Sequence, residues 1–469
     1  MRKDKMQQKN TSGKQIKLFT NKSEPAEGEV SGTDSTTDTG VELSSRLDQQ
    51  RTLTENILER IVDYVNVNKA YQQVKSNKGS SGIDGMDVEE LGQWLGSHLK
   101  ELQESILQEQ YAVSAVRKVE IPKPTGGIRM LGIPTVKDRL VQQAIHQELN
   151  RYYEPYFSEY SYGFRTGRNA GQAILQAADY IGQGMEWVVD IDLEKFFDKI
   201  NHDRLMQRLS KGIGDKRLLR LINAYLKTGI MTGGLLEQRT SGTPQGSPLS
   251  PLLSNIVLDE LDRELEERGL HFCRYADDCN IFVRSKKAGE RVLKSLTDFI
   301  EKKLKLKVNR DKSGVRHCSD VKFLGYTVMP EGKIRVADKS IERLKFKIKE
   351  QTIRSRGVTL TQIVKELNAI IIGWTNYFHL ANSWLSTFRE LDGWLRRRLR
   401  CYRLKQCGRK HSIFKFLRSF NIPVNTCWNV VMYSHGWWNM SHNKAVNNAM
   451  NLHWFAQQGL HSLHSRMSR

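Results

Sequence analysis

The sequence has neither a long apolar segment nor paired cysteines. No apolar run approaches the roughly 20 residues that a membrane-spanning helix requires, so we expect no contact with a membrane. The six cysteines form no Cys-x-x-Cys pair, and no stretch has the character of a secretory signal peptide. These absences argue against a disulfide framework, and they predict reduced thiols in a cytosolic protein.

Acidic residues are missing from the last part of the chain. Residues 393–469 contain thirteen Lys or Arg and no Asp or Glu, and the whole chain has a net charge of +21. An ordinary solvated surface mixes both signs, so a tract of one sign favours contact with a polyanion. We predict that nucleic acid binds the cations Arg396, Arg397, Arg398, Arg400, Arg403, Lys405, Arg409 and Lys410.

Two groups of carboxylates stand out in the middle of the chain. Asp277 and Asp278 are adjacent at the tip of a predicted β-hairpin, although turns also favour Asp for backbone reasons alone. Asp190 and Asp192 point to one face of a predicted buried strand, because strand side chains alternate. Carboxylates from two such elements form the minimum constellation of a two-metal site for phosphoryl transfer. Solvated strand-end and helix-cap residues remain the alternative interpretation.

Eight landmarks occur in an order that resembles the reverse transcriptases encoded by group II introns, which also act as maturases. The match is collinear over about residues 77–463. Its landmarks are Gly82-Ile83-Asp84-Gly85, Ile121 to Arg129, Tyr162-Gly163-Phe164-Arg165, Asp192 with Phe196-Phe197-Asp198, Gly242 to Pro251, Tyr275-Ala276-Asp277-Asp278, Lys307-Val308-Asn309 and Phe323-Leu324-Gly325-Tyr326. The resemblance implies an α+β fold: a right-hand polymerase with fingers and a palm sheet packed on helices, then an all-helical thumb and a small basic C-terminal region.

The resemblance also assigns roles to the carboxylates. It implies that Asp192 and Asp277 are the principal ligands of two Mg²⁺ ions, which Mn²⁺ can replace. The backbone carbonyl of Ile191 would assist, and Asp278 would have a lesser role. Asp190 receives only a supporting or structural role.

Several residues are expected to contact the incoming nucleotide. Lys123 and Arg129 flank a Gly-Gly turn that could fold over a triphosphate, although a surface hairpin with incidental cations would look the same. Arg117, on the preceding strand, is a weaker candidate. The resemblance implies that Gln245 lies against nucleotide and template, and that Phe197 packs beneath the deoxyribose and excludes a 2′-hydroxyl.

A second set of cations is expected to face nucleic acid in the fingers. Lys137 and Arg139 lie at the basic entry of a predicted helix that could face the template. Arg165, in the Tyr162-Gly163-Phe164-Arg165 landmark, is a further predicted nucleic-acid contact.

Composition, pattern and the resemblance together divide the chain into five predicted segments. Residues 1–50 are polar and predicted to be a disordered tail. Residues 51–109 would extend the fingers, 110–334 would form fingers and palm, and 335–410 the helical thumb, or maturase domain. Residues 411–469 would be a basic region resembling a DNA-binding domain, in a form of the family without the C-terminal endonuclease domain.

The predicted function is that of an RNA-directed DNA polymerase and maturase. Its expected partners are structured intron RNA, an RNA template with a DNA primer, dNTPs and target DNA. Two alternatives remain open: a domesticated relative serving DNA repair or phage defence or working with CRISPR machinery, and an RNA-binding maturase that acts only in splicing. The intact Lys123, Asp192, Gln245, Asp277 and Asp278 argue against the second.

Overall fold

The computed structural model describes residues 56–122, 128–232, 235–237, 242–243, 246–381 and 383–468. The predicted disordered tail, residues 1–50, lies outside these ranges. None of the helices within them combines the length and the apolar character needed to cross a bilayer.

The described residues form ten strands and nineteen α-helices. The strands are β1 (Val116–Pro122), β2 (Ile128–Ile133), β3 (Trp187–Ile191), β4 (Ile230–Thr232), β5 (Leu235–Glu237), β6 (His271–Tyr275), β7 (Asp278–Val283), β8 (Gly314–His317), β9 (Tyr326–Val328) and β10 (Ile334–Val336). The helices are α1 (Ile57–Val62), α2 (Tyr64–Ser76), α3 (Val88–Leu107), α4 (Val136–Tyr153), α5 (Ala170–Gly182), α6 (Phe196–Lys199), α7 (His202–Gly212), α8 (Lys216–Lys227), α9 (Ser250–Glu267), α10 (Lys286–Lys302), α11 (Asp338–Gln351), α12 (Leu360–Tyr377), α13 (Leu385–Cys407), α14 (Lys410–Arg418), α15 (Val424–Tyr433), α16 (Gly436–Met440), α17 (Lys444–Ala449), α18 (Leu452–Gln457) and α19 (Leu463–Met467).

The chain divides into two compact units. The first takes the described residues up to Asn169, together with Asp190–Cys279 and Arg291–Gly314; the second takes Ala170–Val189, Asn280–Glu290 and the described residues from Val315 onward. The units alternate along the sequence, whereas the five predicted segments are consecutive. The limits of those segments therefore stay predictions.

The first unit contains a sheet with the strand order β2-β1-β4-β5. Strands β1 and β2 are antiparallel, with Arg117 opposite Ile133 and Ile121 opposite Arg129. Strand β4 runs parallel to β1, and Val116 pairs with Ile230. The two strands that flank the predicted turn are thus present and paired, while the turn itself, residues 123–127, lies outside the described residues.

Local capping explains where the helices of this unit begin. Asp87 and Glu90 form a reciprocal capping box at the start of α3, with both hydrogen bonds at 2.8 Å. Thr135 caps α4 by accepting a hydrogen bond from the Asp138 N–H. The Asp138 carboxylate is itself buried and accepts a hydrogen bond from Tyr111 at 2.9 Å, and burial raises its pKa. A buried polar cluster therefore fixes the entry of α4.

A second four-stranded sheet has the order β6-β7-β3-β8. The predicted strands of this sheet, β3, β6 and β7, are present, with aromatic and β-branched residues around the acidic positions, and β8 is a fourth strand that was not predicted. The adjacent strands β7 and β3 carry the two predicted groups of carboxylates, Asp278 at the start of β7 and Asp192 directly after β3. This sheet is therefore the element that positions the candidate site.

The second unit is mostly helical. The predicted thumb helices correspond to α11, α12 and α13, which bury Ile348, Leu367, Ile371, Leu395 and Leu399 completely. A two-stranded hairpin, β9 and β10, precedes them, with Tyr326 opposite Val336. Six short helices, α14 to α19, follow. The predicted fold class, a mixed α+β region followed by an all-helical region, is confirmed.

Candidate active site

The turn that carries Asp277 and Asp278 is tightly constrained. Strand β6 ends at Tyr275, strand β7 begins at Asp278, and Ala276 between them has a positive φ of 59°. A positive φ is uncommon for a residue with a Cβ and persists only where the surroundings enforce it. The groups that enforce it lie beneath the turn.

Arg274 is the centre of a fully buried hydrogen-bond network under this turn. Its side chain is 0 % exposed and forms an ion pair with Asp262, which is also 0 % exposed. Its Nε donates to Asp262 Oδ1 at 2.6 Å, and its Nη1 donates to Asn255 Oδ1 at 3.0 Å and to the Ala276 carbonyl at 2.9 Å. Its Nη2 donates to Ser161 Oγ at 2.7 Å. Burial opposes the charge of Arg274, but the Asp262 carboxylate outweighs burial and raises the pKa of Arg274.

The same network ties the turn to the segment before α5. Asn255 donates through Nδ2 to the Gly163 carbonyl at 2.9 Å, and the Tyr162 N–H donates to the Arg274 carbonyl at 2.8 Å. A Cβ on Gly163 would lie 2.2 Å from the Ala276 nitrogen, closer than any real contact. Only glycine permits this approach. The Tyr162–Arg165 landmark therefore supports the acidic turn.

Asp192 is held by a different segment, the loop at residues 309–313. The Asp192 N–H donates to Ser313 Oγ at 2.9 Å, and the Asp192 carbonyl accepts from the Asn309 N–H at 2.9 Å. The Asp192 carboxylate, 37 % exposed, forms an ion pair with Lys312 at 3.3 Å, and the Lys312 side chain is 66 % exposed. Backbone and side chain of Asp192 are thus both fixed, on the solvent side, by one loop.

The carboxylates of this region suit a Mg²⁺ ion whose remaining ligands come from the substrate and water. Within the described ranges, no three His, Cys, Asp or Glu side chains are gathered in a way that could hold a metal ion by themselves. Mg²⁺ is usually bound by one or two carboxylates, with phosphates and water completing its octahedron. Asp192, directly after β3, and the Asp277–Asp278 turn, at the start of the adjacent strand β7, offer carboxylates of this kind. Ile191, whose carbonyl is the predicted backbone ligand, is buried at the end of β3.

Phe197 lines a cleft of about 470 Å³ in the first unit. Other residues of this cleft are Leu131 on β2, Arg139 on α4, Phe164 and Gly246. Phe197 is half-buried, while its neighbour Phe196 is 2 % exposed and belongs to the core.

A tight backbone contact fixes the turn that presents Phe197. The Thr243 N–H donates to the Phe197 carbonyl at 2.7 Å. A Cβ on Gly242, whose φ is +84°, would lie 2.7 Å from the Asp198 backbone. The Gly242–Pro251 landmark thus begins directly against the predicted sugar-contacting residue.

The other predicted nucleotide contacts are only partly described. Lys123 and Gln245 lie outside the described residues. The backbone of Arg129 pairs with that of Ile121, and the Arg129 side chain is not among those that the structure describes. Within the described part of the chain, Arg117 Nε is buried without a hydrogen-bond partner.

The predicted fingers cations have partners within the first unit. Arg165 donates to the Glu154 carboxylate and backbone carbonyl, both at 2.9 Å, and is 9 % exposed. Arg139 is equally buried and donates to the Ser80 carbonyl at 2.8 Å, and burial lowers its pKa. Lys137 lies over the Trp94 ring at 4.1 Å. Arg139 alone of these three lines the cleft, and the nucleic-acid contacts of all three stay predictions.

The predicted thumb cations of α13 differ in exposure. Arg400 is 9 % exposed and donates to the Met450 carbonyl at 3.0 Å, and burial lowers its pKa to about 10. Arg398 donates to Thr352 Oγ1 at 2.6 Å. The guanidiniums of Arg397 and Arg403 lie over aromatic rings, at 4.1 and 4.6 Å.

The remaining predicted cations of this tract are placed differently. Arg396 is half-buried, and burial lowers its pKa. Lys405, Arg409 and Lys410 are exposed and thus accessible to a phosphate.

The comparison with known families divides the chain at the start of α11. Residues 121–328 match the family model described as reverse transcriptase (RNA-dependent DNA polymerase). Residues 341–419 match the model described as group II intron, maturase-specific domain.

Two curated relatives and one solved structure illustrate the similarity. The chain is 33 % identical over 306 residues to Protein YkfC of Escherichia coli (strain K12), which covers 56 % of this chain and 80 % of that protein. It is 30 % identical over 368 residues to the group II intron-encoded protein LtrA of Lactococcus lactis subsp. cremoris, which covers 64 % of this chain and 60 % of that protein. A solved partial Cas6-RT-Cas1–Cas2 complex is 25 % identical with a TM-score of 0.34, and it covers 52 % of this chain and 42 % of that chain.

Proposed function

Since the chain belongs to the family of group II intron-encoded reverse transcriptases and maturases, we propose that it extends a DNA primer on an RNA template with dNTPs and binds intron RNA. Members of this family are RNA-directed DNA polymerases, so this is the enzyme class of the chain. The RNA-binding role is to promote splicing and retrohoming into target DNA. Contacts to phosphates and RNA shape would carry that role, so affinity falls as salt rises. Its setting is the prokaryotic cytosol.

The proposed metal ligands are Asp192 and Asp277, with the Ile191 carbonyl assisting and Asp278 in a lesser role. When bound, two Mg²⁺ ions would lower the pKa of a primer 3′-hydroxyl and neutralise the departing pyrophosphate. The protein's own contribution is positioning. Arg274 holds the Ala276 carbonyl of the turn, and the loop at residues 309–313 holds Asp192. Positioning and charge stabilisation account for most phosphoryl-transfer catalysis.

The observation that carries this proposal is the order of the second sheet. Strand β7, which begins at Asp278, is the neighbour of β3, which ends directly before Asp192. Carboxylates 86 residues apart along the chain, such as Asp192 and Asp278, thereby lie at the ends of adjacent strands.

Asp277→Asn tests the polymerase assignment. Because the amide carries no charge to hold a cation, we expect primer extension on an RNA template to be abolished, while affinity for structured intron RNA stays within a few-fold. Primer extension and filter binding of the same preparation measure the two quantities. Equal loss of both would show that Asp277 has a structural role and would contradict the assignment.

Phe197→Ala tests the sugar contact. The half-buried ring lines the cleft of about 470 Å³, where a bulky side chain would obstruct a 2′-hydroxyl. We expect the alanine variant to incorporate ribonucleotides more readily relative to dNTPs. A kinetic competition between each dNTP and its rNTP measures this ratio, with Phe164→Ala, from the same cleft, as the matched control. An unchanged ratio in Phe197→Ala would remove the assignment.

A further inference from the structure

Helix α7 begins with a buried histidine. His202, the first residue of the helix, is 5 % exposed. The preceding Asn201 caps the helix, because its side chain accepts a hydrogen bond from the Arg204 N–H at 2.9 Å. Burying an imidazole is unfavourable unless its polar atoms find partners. The partner of His202 therefore indicates what this side chain does.

The His202 ring binds the backbone of the Gly242–Pro251 landmark. Its Nε2 lies 2.6 Å from the Gly242 carbonyl oxygen, 40 residues further along the chain. A carbonyl oxygen only accepts, so Nε2 carries the hydrogen and donates it. Gly242 is itself buried, and a buried carbonyl without a donor is unfavourable. This contact thus holds Gly242 in one place.

Gly242 and Thr243 are joined by their backbones to the segment that carries Phe197. The Gly242 N–H donates to the Ile200 carbonyl at 2.9 Å, and the Thr243 N–H donates to the Phe197 carbonyl at 2.7 Å. Thr243 is 0 % exposed and Ile200 is 1 % exposed, so water has little access to these two bonds. Two residues held by His202 therefore hold Phe197 and Ile200 in turn.

The backbone on the other side of Phe197 is constrained independently. Lys195 has a positive φ of 48°, and Phe196 is 2 % exposed and anchors the start of α6 in the core. Phe197 thus lies between two supports. The second support is the one that ends at His202.

We propose that His202 is a positioning residue for the discrimination between dNTPs and rNTPs. Through Gly242 and Thr243 it fixes the Phe197 backbone, and thereby the place of the Phe197 ring in the cleft of about 470 Å³. A ring obstructs a 2′-hydroxyl only while it keeps its distance from the sugar, so a small displacement admits the hydroxyl. The inference rests on the proposed function, because it requires that Phe197 contacts the sugar of the incoming nucleotide.

His202→Leu tests this role by removing the donor and keeping a side chain of similar size. Steric rejection of an added hydroxyl supplies about 100-fold discrimination, so we expect partial loss of support to lower the dNTP preference about tenfold. The ratio of kcat/KM for each dNTP and its rNTP measures the preference. His202→Gln, whose Nε2 can also donate to the Gly242 carbonyl, should retain most of it.

Leu209→Ala is the control for a merely structural effect. Leu209 is 0 % exposed and lies two turns further along the same helix, so its truncation lowers stability without removing the bond to Gly242. We expect the dNTP preference of Leu209→Ala to equal that of the wild type. A loss as large as that of His202→Leu would show that the preference follows stability and would overturn the inference.

A double variant shows whether His202 acts through Phe197. Both single substitutions are proposed to admit the 2′-hydroxyl by the same route. Adding His202→Leu to Phe197→Ala should therefore change the preference little beyond that of Phe197→Ala alone. Multiplicative losses would place the effect of His202 elsewhere and would contradict the positioning role.

Hydrogen exchange measured by mass spectrometry tests the contact itself, without any turnover. We expect His202→Leu to speed exchange of the Gly242 and Thr243 amides about tenfold, because both bonds open more readily once the support is lost. His202→Gln should exchange at nearly the wild-type rate.

The possible failures are distinguishable. Unchanged exchange at Gly242 and Thr243, or a preference that falls in Phe197→Ala and not in His202→Leu, overturns this inference and leaves the proposed function standing. A wild-type protein that extends no primer overturns the proposed function, and this inference with it.

Discussion

The Asp277–Asp278 turn is held from beneath by fully buried groups, whereas Asp192 is held by a loop on the solvent side. Arg274 and Asp262, at 0 % exposure, form the first support. Lys312, at 66 % exposure, forms part of the second. Breaking a buried pair leaves an uncompensated charge in a low dielectric, whereas an exposed pair exchanges its partner for water at little cost. The comparison indicates that the proposed site has one rigidly supported part, the Asp277–Asp278 turn, and one part, around Asp192, whose support is more easily changed.

Arg274→Met should produce the largest effect on stability. It leaves Asp262 buried without its cation, so we expect the free energy of unfolding to fall by about 3–5 kcal/mol. Urea denaturation measures this loss. The matched control is Lys302→Met, whose pair with Asp298 is 77 % and 56 % exposed and should contribute about 0–1 kcal/mol. Equal, small losses in both variants would contradict the distinction between buried and exposed supports.

The double variant Arg274→Met/Asp262→Leu separates positioning from stability. Replacing both members of a buried pair by apolar residues removes the unpaired charge and restores much of the lost stability. The Ala276 carbonyl and Asn255 still lose their donor, so we expect primer extension to stay at least about tenfold below wild type through misplacement of the turn. Full recovery of extension would show that Arg274 acts through stability alone.

Lys312→Met should produce a smaller effect, on metal affinity rather than stability. Its ammonium lies 3.3 Å from the Asp192 carboxylate and repels any cation bound there. Removing this ammonium should lower the Mg²⁺ concentration needed for half-maximal primer extension by about fivefold, which is equivalent to ~1 kcal/mol at a solvated site. The free energy of unfolding should change by less than about 1 kcal/mol.

A magnesium titration at constant ionic strength measures this change. Lys307→Met is the matched control, because Lys307 is 65 % exposed and pairs with Glu194 instead. A higher magnesium requirement in Lys312→Met than in the control would contradict the expectation that Lys312 weakens cation binding at Asp192.

The parts of the site that could be predicted are those whose residues are contiguous in sequence. Tyr275-Ala276-Asp277-Asp278 and the run around Asp192 indicated the strands, the turn and the family, and the predictions of family and fold class are confirmed. The thumb helices could be predicted because their apolar residues recur at the helical period.

The supports could not be predicted, since their partners are distant in sequence. Arg274 bonds to Asp262, Asn255 and Ser161, which are 12, 19 and 113 residues away. A cation next to the apolar Phe272 and Cys273 in a predicted strand was the available signal for Arg274. Lys312, three residues beyond the Lys307–Asn309 landmark, gave no signal of its own, because only the fold brings it to Asp192.

Sequence reasoning also could not separate surface cations from buried ones. Arg165 and Arg400 belong to basic segments predicted to bind nucleic acid, yet each is 9 % exposed and donates to protein carbonyls. Residue type indicates charge, while burial depends on how distant segments pack. Their predicted nucleic-acid contacts stay predictions, as do the roles of Lys123 and Gln245.

The most direct test of the central claim is to locate the bound metal itself. In place of Mg²⁺, Fe²⁺ with ascorbate and peroxide generates hydroxyl radicals that cut the backbone beside the ion, and mass spectrometry maps the cuts. The account predicts cuts near both Asp192 and Asp277, and the loss of both in Asp277→Asn. Cuts at one of these positions only, or cuts at Asp192 that persist in Asp277→Asn, would contradict a shared metal site.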